Sequence, residues 1–67
     1  MNAGNDNLAD DMLVGAKAIA LFSGFGERTV YHLAKTGVLP TFKVGDLVCA
    51  RKSKILAFIE AQEARAA

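Results

Sequence analysis

Apolar positions along this chain recur first at helical spacing and then at strand spacing, and the change divides the sequence. Val30, Leu33 and Ala34 stand at i, i+3 and i+4, the spacing of one buried helix stripe. Arg28, Tyr31, His32 and Lys35 stand at i, i+3, i+4 and i+7 on the other side, and all four can donate hydrogen bonds or stack. Gly24-Phe25-Gly26 precedes this helix and Gly37 to Pro40 follows it. Gly26 is its expected N-cap, Glu27 lies in the first turn where the helix dipole favours an acid, and Gly37 is its stop.

Leu13 to Gly24 predicts an earlier short helix, with Gly15 as N-cap and Gly24 at C′. Ala16, Ile19 and Ala20 form its apolar stripe, with Leu13 or Val14 packing beneath. Leu21 and Phe22 extend the apolar surface, so at least one of them requires another partner. Phe25 is expected between the two helices. Beyond Gly37 the period becomes 2: Leu39–Val44 and Leu47–Ala50 predict two strands around Gly45-Asp46, a type II′ hairpin. Phe42 and Val44 are expected to face inward and Thr41 and Lys43 outward. The orientation of the second strand is left open by its pattern: if Val48 and Ala50 face the core, Leu47 and Cys49 project outward. Ile55, Phe58, Ile59 and Gln62 predict a last helix from Lys54 to about Glu63, with Ser53 as N-cap. The polar, aperiodic start predicts a disordered acidic leader over residues 1–12, a domain over 13–63 and a frayed tail over 64–67. The class is mainly α with a small β-hairpin.

With 67 residues the domain buries only about 60% of its unfolded surface, so the core is thin. A single cysteine, Cys49, excludes an intramolecular disulfide and points to a reducing, cytoplasmic setting. One histidine and one cysteine do not supply the usual metal cage, and no cofactor is expected. No apolar run approaches the ~18 residues of a membrane span. Net charge is +1 but unevenly divided. Residues 1–12 carry Asp6, Asp10 and Asp11 and no base, whereas the remainder sets eight basic residues against four acidic ones, a balance of +4. A mildly basic body is compatible with phosphate binding. The sequence has no nucleophile–base pair, carboxylate pair or phosphate-cradling glycine loop, so neither an enzyme nor a small-molecule substrate is expected.

Ala16-Lys17-Ala18-Ile19-Ala20, Glu27-Arg28-Thr29-Val30-Tyr31-His32-Leu33 and Thr36-Gly37-Val38-Leu39-Pro40-Thr41-Phe42-Lys43-Val44-Gly45 resemble excisionase-type, MerR-like winged helix-turn-helix proteins. The resemblance covers about residues 13–60. It implies a winged helix-turn-helix whose second helix enters the DNA major groove while the hairpin acts as a wing. The family includes phage excisionases, DNA-binding domains of some phage terminase small subunits, and small transcription regulators. Carried over by position, Arg28, Tyr31, His32 and Lys35 match the recognition-helix surface, Lys43 and Arg51 the basic positions flanking the wing, and Gly45 its turn. Where the family favours a serine or threonine cap this chain has Gly26, and where it favours a base it has Glu27. Its wing reads Gly45-Asp46-Leu47-Val48-Cys49-Ala50 in place of an arginine-rich one.

Two functions follow. The first is sequence-specific binding of double-stranded DNA, as an excisionase-like architectural factor or transcription regulator of a phage or mobile element. Arg28 is the candidate for a guanine edge and Tyr31 for a phosphate or thymine methyl. His32 is a polar contact rather than a catalytic base, and Lys35, Lys43 and Arg51, with Lys52 and Lys54, supply phosphate contacts in some subset. One domain covers a short site, so self-association or cooperative assembly on DNA is expected, through Leu47 and Cys49 with Leu56 or Phe22. The second is a protein-interaction adaptor, or a terminase-small-subunit-like packaging module with weak DNA binding, favoured by the modest charge and uncharged wing.

Overall fold

The structure, a computed structural model, describes residues 8–66; expectations for residues 1–7 and Ala67 lie outside them. A helical turn α1 (Leu8–Asp11) leads into strand β1 (Met12–Val14) and helices α2 (Ala16–Ser23) and α3 (Glu27–Lys35). Strands β2 (Thr41–Val44) and β3 (Leu47–Arg51) follow, and helix α4 (Lys52–Ala66) closes the chain. The fold is mostly helical with a three-stranded antiparallel sheet in the order β1-β3-β2.

Helices α2 and α3 form where the periodicity predicts. Ala16, Ile19 and Ala20 of α2 are buried against Val30 of α3, and Ile19 and Val30 are both 0% exposed. Small side chains at Ala16 and Ala20 permit close helix approach, and half-buried Phe25 packs on the same cluster. Gly26 is the N-cap of α3, as expected. Its other end closes as a Schellman motif, Val38 N–H donating to the Leu33 carbonyl at 3.0 Å and Gly37 N–H to that of Ala34 at 3.2 Å. The Thr36 hydroxyl adds a bond to the His32 carbonyl at 3.1 Å. Leu39 then turns into the core, 2% exposed.

The start of the chain departs from the expected leader. Leu8–Asp11 is helical, and Met12–Val14 pairs with β3, Leu13 opposite Ala50 and Val14 opposite Cys49. The first helix begins at Ala16 behind Gly15, the expected N-cap. Three residues are too few to register as a strand by periodicity, and only the distant partner β3 makes them one. Pairing alternates their sides, so Leu13 is buried at 5% while Val14 is 54% exposed.

The hairpin forms, but inward Phe42 and Val44 and inward Val48 and Ala50 are mutually exclusive. A two-residue turn sets Val44 opposite Leu47, Lys43 opposite Val48, Phe42 opposite Cys49 and Thr41 opposite Ala50. Opposed residues share a face, so burial of Val48 and Ala50 carries Thr41 and Lys43 to the helical side. Phe42 and Val44, expected inward, are turned outward and are 42% and 56% exposed. Gly45 has φ 62 and Asp46 a negative φ, the type II′ pattern. Cys49 shares the outer face yet is 2% exposed, because as the central strand's residue it is flanked by Val14 and Phe42.

Helix α4 starts at Lys52, earlier than the expected Lys54, and runs through Ala66, beyond the expected end near Glu63. Its early start has a cause outside the helix. Asp11 accepts the Ser53 N–H at 2.9 Å, the Ser53 hydroxyl at 2.8 Å and Arg51 Nε at 2.7 Å. A carboxylate from the far end of the chain thus caps α4, replacing Ser53 in that role. At the other end Ala-Gln-Glu-Ala-Arg-Ala contains only good helix formers and no breaker. Ile55 is buried, Phe58 and Ile59 are half-buried, and Gln62, expected on the same stripe, is exposed.

Candidate nucleic-acid interface

The polar face of α3 follows from its docking. At 100° per residue, Arg28, Tyr31, His32 and Lys35 fall within an arc of about 100°, opposite Val30. All four are exposed, Tyr31 at 55%. Glu27 in the first turn and Lys35 in the last complement the helix dipole, Lys35 from within that face.

The register of the hairpin brings Lys43 to this side. Between α3 and the hairpin lies a groove of about 620 Å³, lined by Tyr31, Ala34 and Lys35 from α3 and by Thr41, Phe42 and Lys43 from β2. Asp46, Leu47 and Val48 line it from the turn and β3, and Gly15 and Ala16 from the start of α2. Lys35 and Lys43 therefore flank one concavity, with Asp46 as the acid lining it. Thr41 and the start of α2 were not singled out by sequence. The signal that finds them is hairpin pairing arithmetic, which places Thr41 with Ala50, and the run Met12-Leu13-Val14 ending at Gly15.

Gly15 fixes the position of α2 in this groove. Its N–H donates to the Val48 carbonyl at 2.7 Å, tying the helix start to β3. Its backbone, φ 89 and ψ 152, lies in a region essentially restricted to glycine. The N-cap residues of α2 and α3 are both glycines and make no side-chain cap bond. The N–H groups of the first turns thus receive no side-chain oxygen from those positions.

Of the six candidate residues, five are brought to one side: Arg28, Tyr31, His32 and Lys35 on α3, and Lys43 on β2. Arg51 is not. It alternates with Ala50 onto the outer face of the sheet, and its Nε is held by Asp11 at 2.7 Å. The Ser53 hydroxyl foremost holds the Asp11 carboxyl below its ordinary value; desolvation opposes it, and the Ser53 N–H and the Arg51 guanidinium add smaller lowering effects. Arg51 acts here as a structural partner of Asp11. Among the described residues, no helix is long and apolar enough to cross a membrane. No family model, curated protein or solved structure matches this chain.

Proposed function

We propose that the chain binds double-stranded DNA as a winged helix-turn-helix, with α2 and α3 as the helix-turn-helix and the β2–β3 hairpin as the wing. The observation that carries this reading is the face of α3. A helix anchored by Val30 at 0% exposure presents Arg28, Tyr31, His32 and Lys35 to solvent, beside a hairpin that turns Lys43 toward the same groove. An α-helix with donors along its free face suits the major groove, where base edges present acceptors. Arg28 reads a guanine edge, Tyr31 and His32 make polar or methyl contacts, and Lys35 and Lys43 bind phosphates on either side. The first-turn N–H groups of α2 offer a further phosphate contact. An excisionase-like architectural role or a small regulator of a phage or mobile element is the setting the resemblance favours.

Anisotropy of a fluorescent duplex across a salt series tests this. Two cations on phosphates, Lys35 and Lys43, predict a log–log slope of about −1.8. Arg28→Ala is expected to reduce affinity for a selected site about 10–100-fold and to relax preference at one base pair. Absence of binding at low salt, or binding indifferent to salt, refutes the proposal. A second reading, a protein-interaction adaptor, is favoured by the apolar outer face of the sheet; such a contact would respond little to salt.

A further inference from the structure

The sheet face that points away from the helices carries an unbroken apolar row. Val14 pairs with Cys49, Cys49 with Phe42, and Val44 with Leu47, so all five side chains share that face. Cys49 is sealed at 2% exposure, whereas Val14, Phe42, Val44 and Leu47 are 54%, 42%, 56% and 52% exposed. Those four present roughly 350 Å² of apolar surface, within the size at which a patch on a monomer tends to be functional. The charged group at its margin, Arg51, is already matched by Asp11.

We propose that this face binds the same face of a second copy, giving a two-fold dimer that packs sheet against sheet. A two-fold contact sets a patch against its own copy, so a patch charged with one sign repels itself and an uncharged apolar one does not. This one qualifies: its centre is Val, Phe, Cys, Val and Leu, and a basic or acidic partner finds nothing there to pair with. The area also fits. If an apolar core of roughly 350 Å² is about 60% of the contact, two copies bury about 1,200 Å², the lower limit of specific interfaces. Phe22 and Leu56, also exposed, belong to α2 and α4 and not to this face. Lys35 and Lys43 project from the helical side; Phe42 and Leu47 also border the groove between α3 and the hairpin, whereas Val14 and Val44 do not.

Sedimentation velocity on the DNA-free chain, from low micromolar to near-millimolar concentration, tests the proposal. The expected result is a reversible monomer–dimer equilibrium. Leu47→Lys and Val44→Lys each introduce two facing charges per dimer and are expected to raise the dissociation constant about 10–100-fold with unchanged circular dichroism. Leu21→Lys, on a residue 77% exposed on α2, is expected to leave it unaltered. A ¹⁵N amide-shift dilution series adds a map: shifts are expected at Val14, Phe42, Val44 and Leu47. A chain monomeric at every concentration overturns the proposal and leaves the face to a protein of different sequence. A dimer untouched by both lysines, or mapped to α2 or α4, overturns it equally.

Discussion

Replacing Gly15 by alanine tests how the sheet positions the helix pair. The substitution adds one carbon, and that carbon would meet nothing within 4 Å, so no clash contributes. What remains is the backbone. At φ 89 and ψ 152 an L-residue is strained by about 1–3 kcal/mol. Against this, alanine restricts the unfolded chain more than glycine does, which offsets about 0.4–1 kcal/mol. The expected net destabilisation is about 1–2 kcal/mol, with a fall in Tm of about 5–15 °C for a domain of this size. The assay is thermal unfolding followed by circular dichroism, with DNA affinity measured well below Tm. Because Gly15 N–H holds the Val48 carbonyl at 2.7 Å, relief of the strain would shift α2 against the hairpin and weaken binding as well. A variant as stable as the parent would refute the argument, since it would mean that the junction does not hold this backbone conformation.

Gly26, by contrast, has φ −75 and ψ 159 with open space for a side chain, so Gly26→Ser is expected to stabilise α3 by a few tenths of a kcal/mol, read as a rise in Tm. Ile19→Ala, at a site 0% exposed, is expected to cost about 2–5 kcal/mol and leave the chain largely unfolded by circular dichroism at 37 °C. The Asp11 carboxyl is held below its ordinary value by Ser53 and Arg51. Its contribution is present above the unfolded value of about 3.9 and is lost as pH falls through the lower folded value; Asp11→Asn is expected to reduce urea-measured stability at neutral pH and to flatten the acid limb. Lys35→Ala is expected to make the DNA salt slope shallower by about 0.9 without altering sequence preference. An unchanged slope would remove Lys35 from the phosphate contacts.

The helix pair was legible in the sequence because its information is local. The 3.6-residue stripe through Val30, Leu33 and Ala34, the small residues at Ala16 and Ala20, and glycines at the helix ends act within one or two turns. Strand β1 was not legible, because Met12-Leu13-Val14 becomes a strand only by pairing with residues 49–51. Asp11 was misplaced for the same reason: its partners Arg51 and Ser53 are 40 and 42 residues away. The outward Phe42 and Val44 are instructive in another way. Hydrophobicity alone turns them inward, but hairpin pairing and the burial of Val48 and Ala50 overrule it. A locally preferred orientation yields when the register is shared with a strand that has more to bury.

That same register carries consequences beyond the fold. Shifted by one residue, the hairpin would bury Phe42 and Val44 and turn Lys43 away from α3, removing a cation from the groove. As built, it sends Lys43 to the helical side and places the apolar row on the far face, so one alternation of side chains separates the two candidate surfaces. The groove is only weakly basic, with Lys35 and Lys43 opposed by Asp46, and under the proposed DNA binding two such cations on phosphates would give modest affinity at physiological salt. A dimer formed on the apolar face would join two such grooves, making the second engagement intramolecular and raising avidity without adding a charge to either. Val44→Lys, at a position on the apolar face that does not line the groove, would then weaken DNA binding across the dimer transition while leaving the affinity of each separate groove intact. Equal DNA affinity for parent and variant across the dimer transition would uncouple the two surfaces.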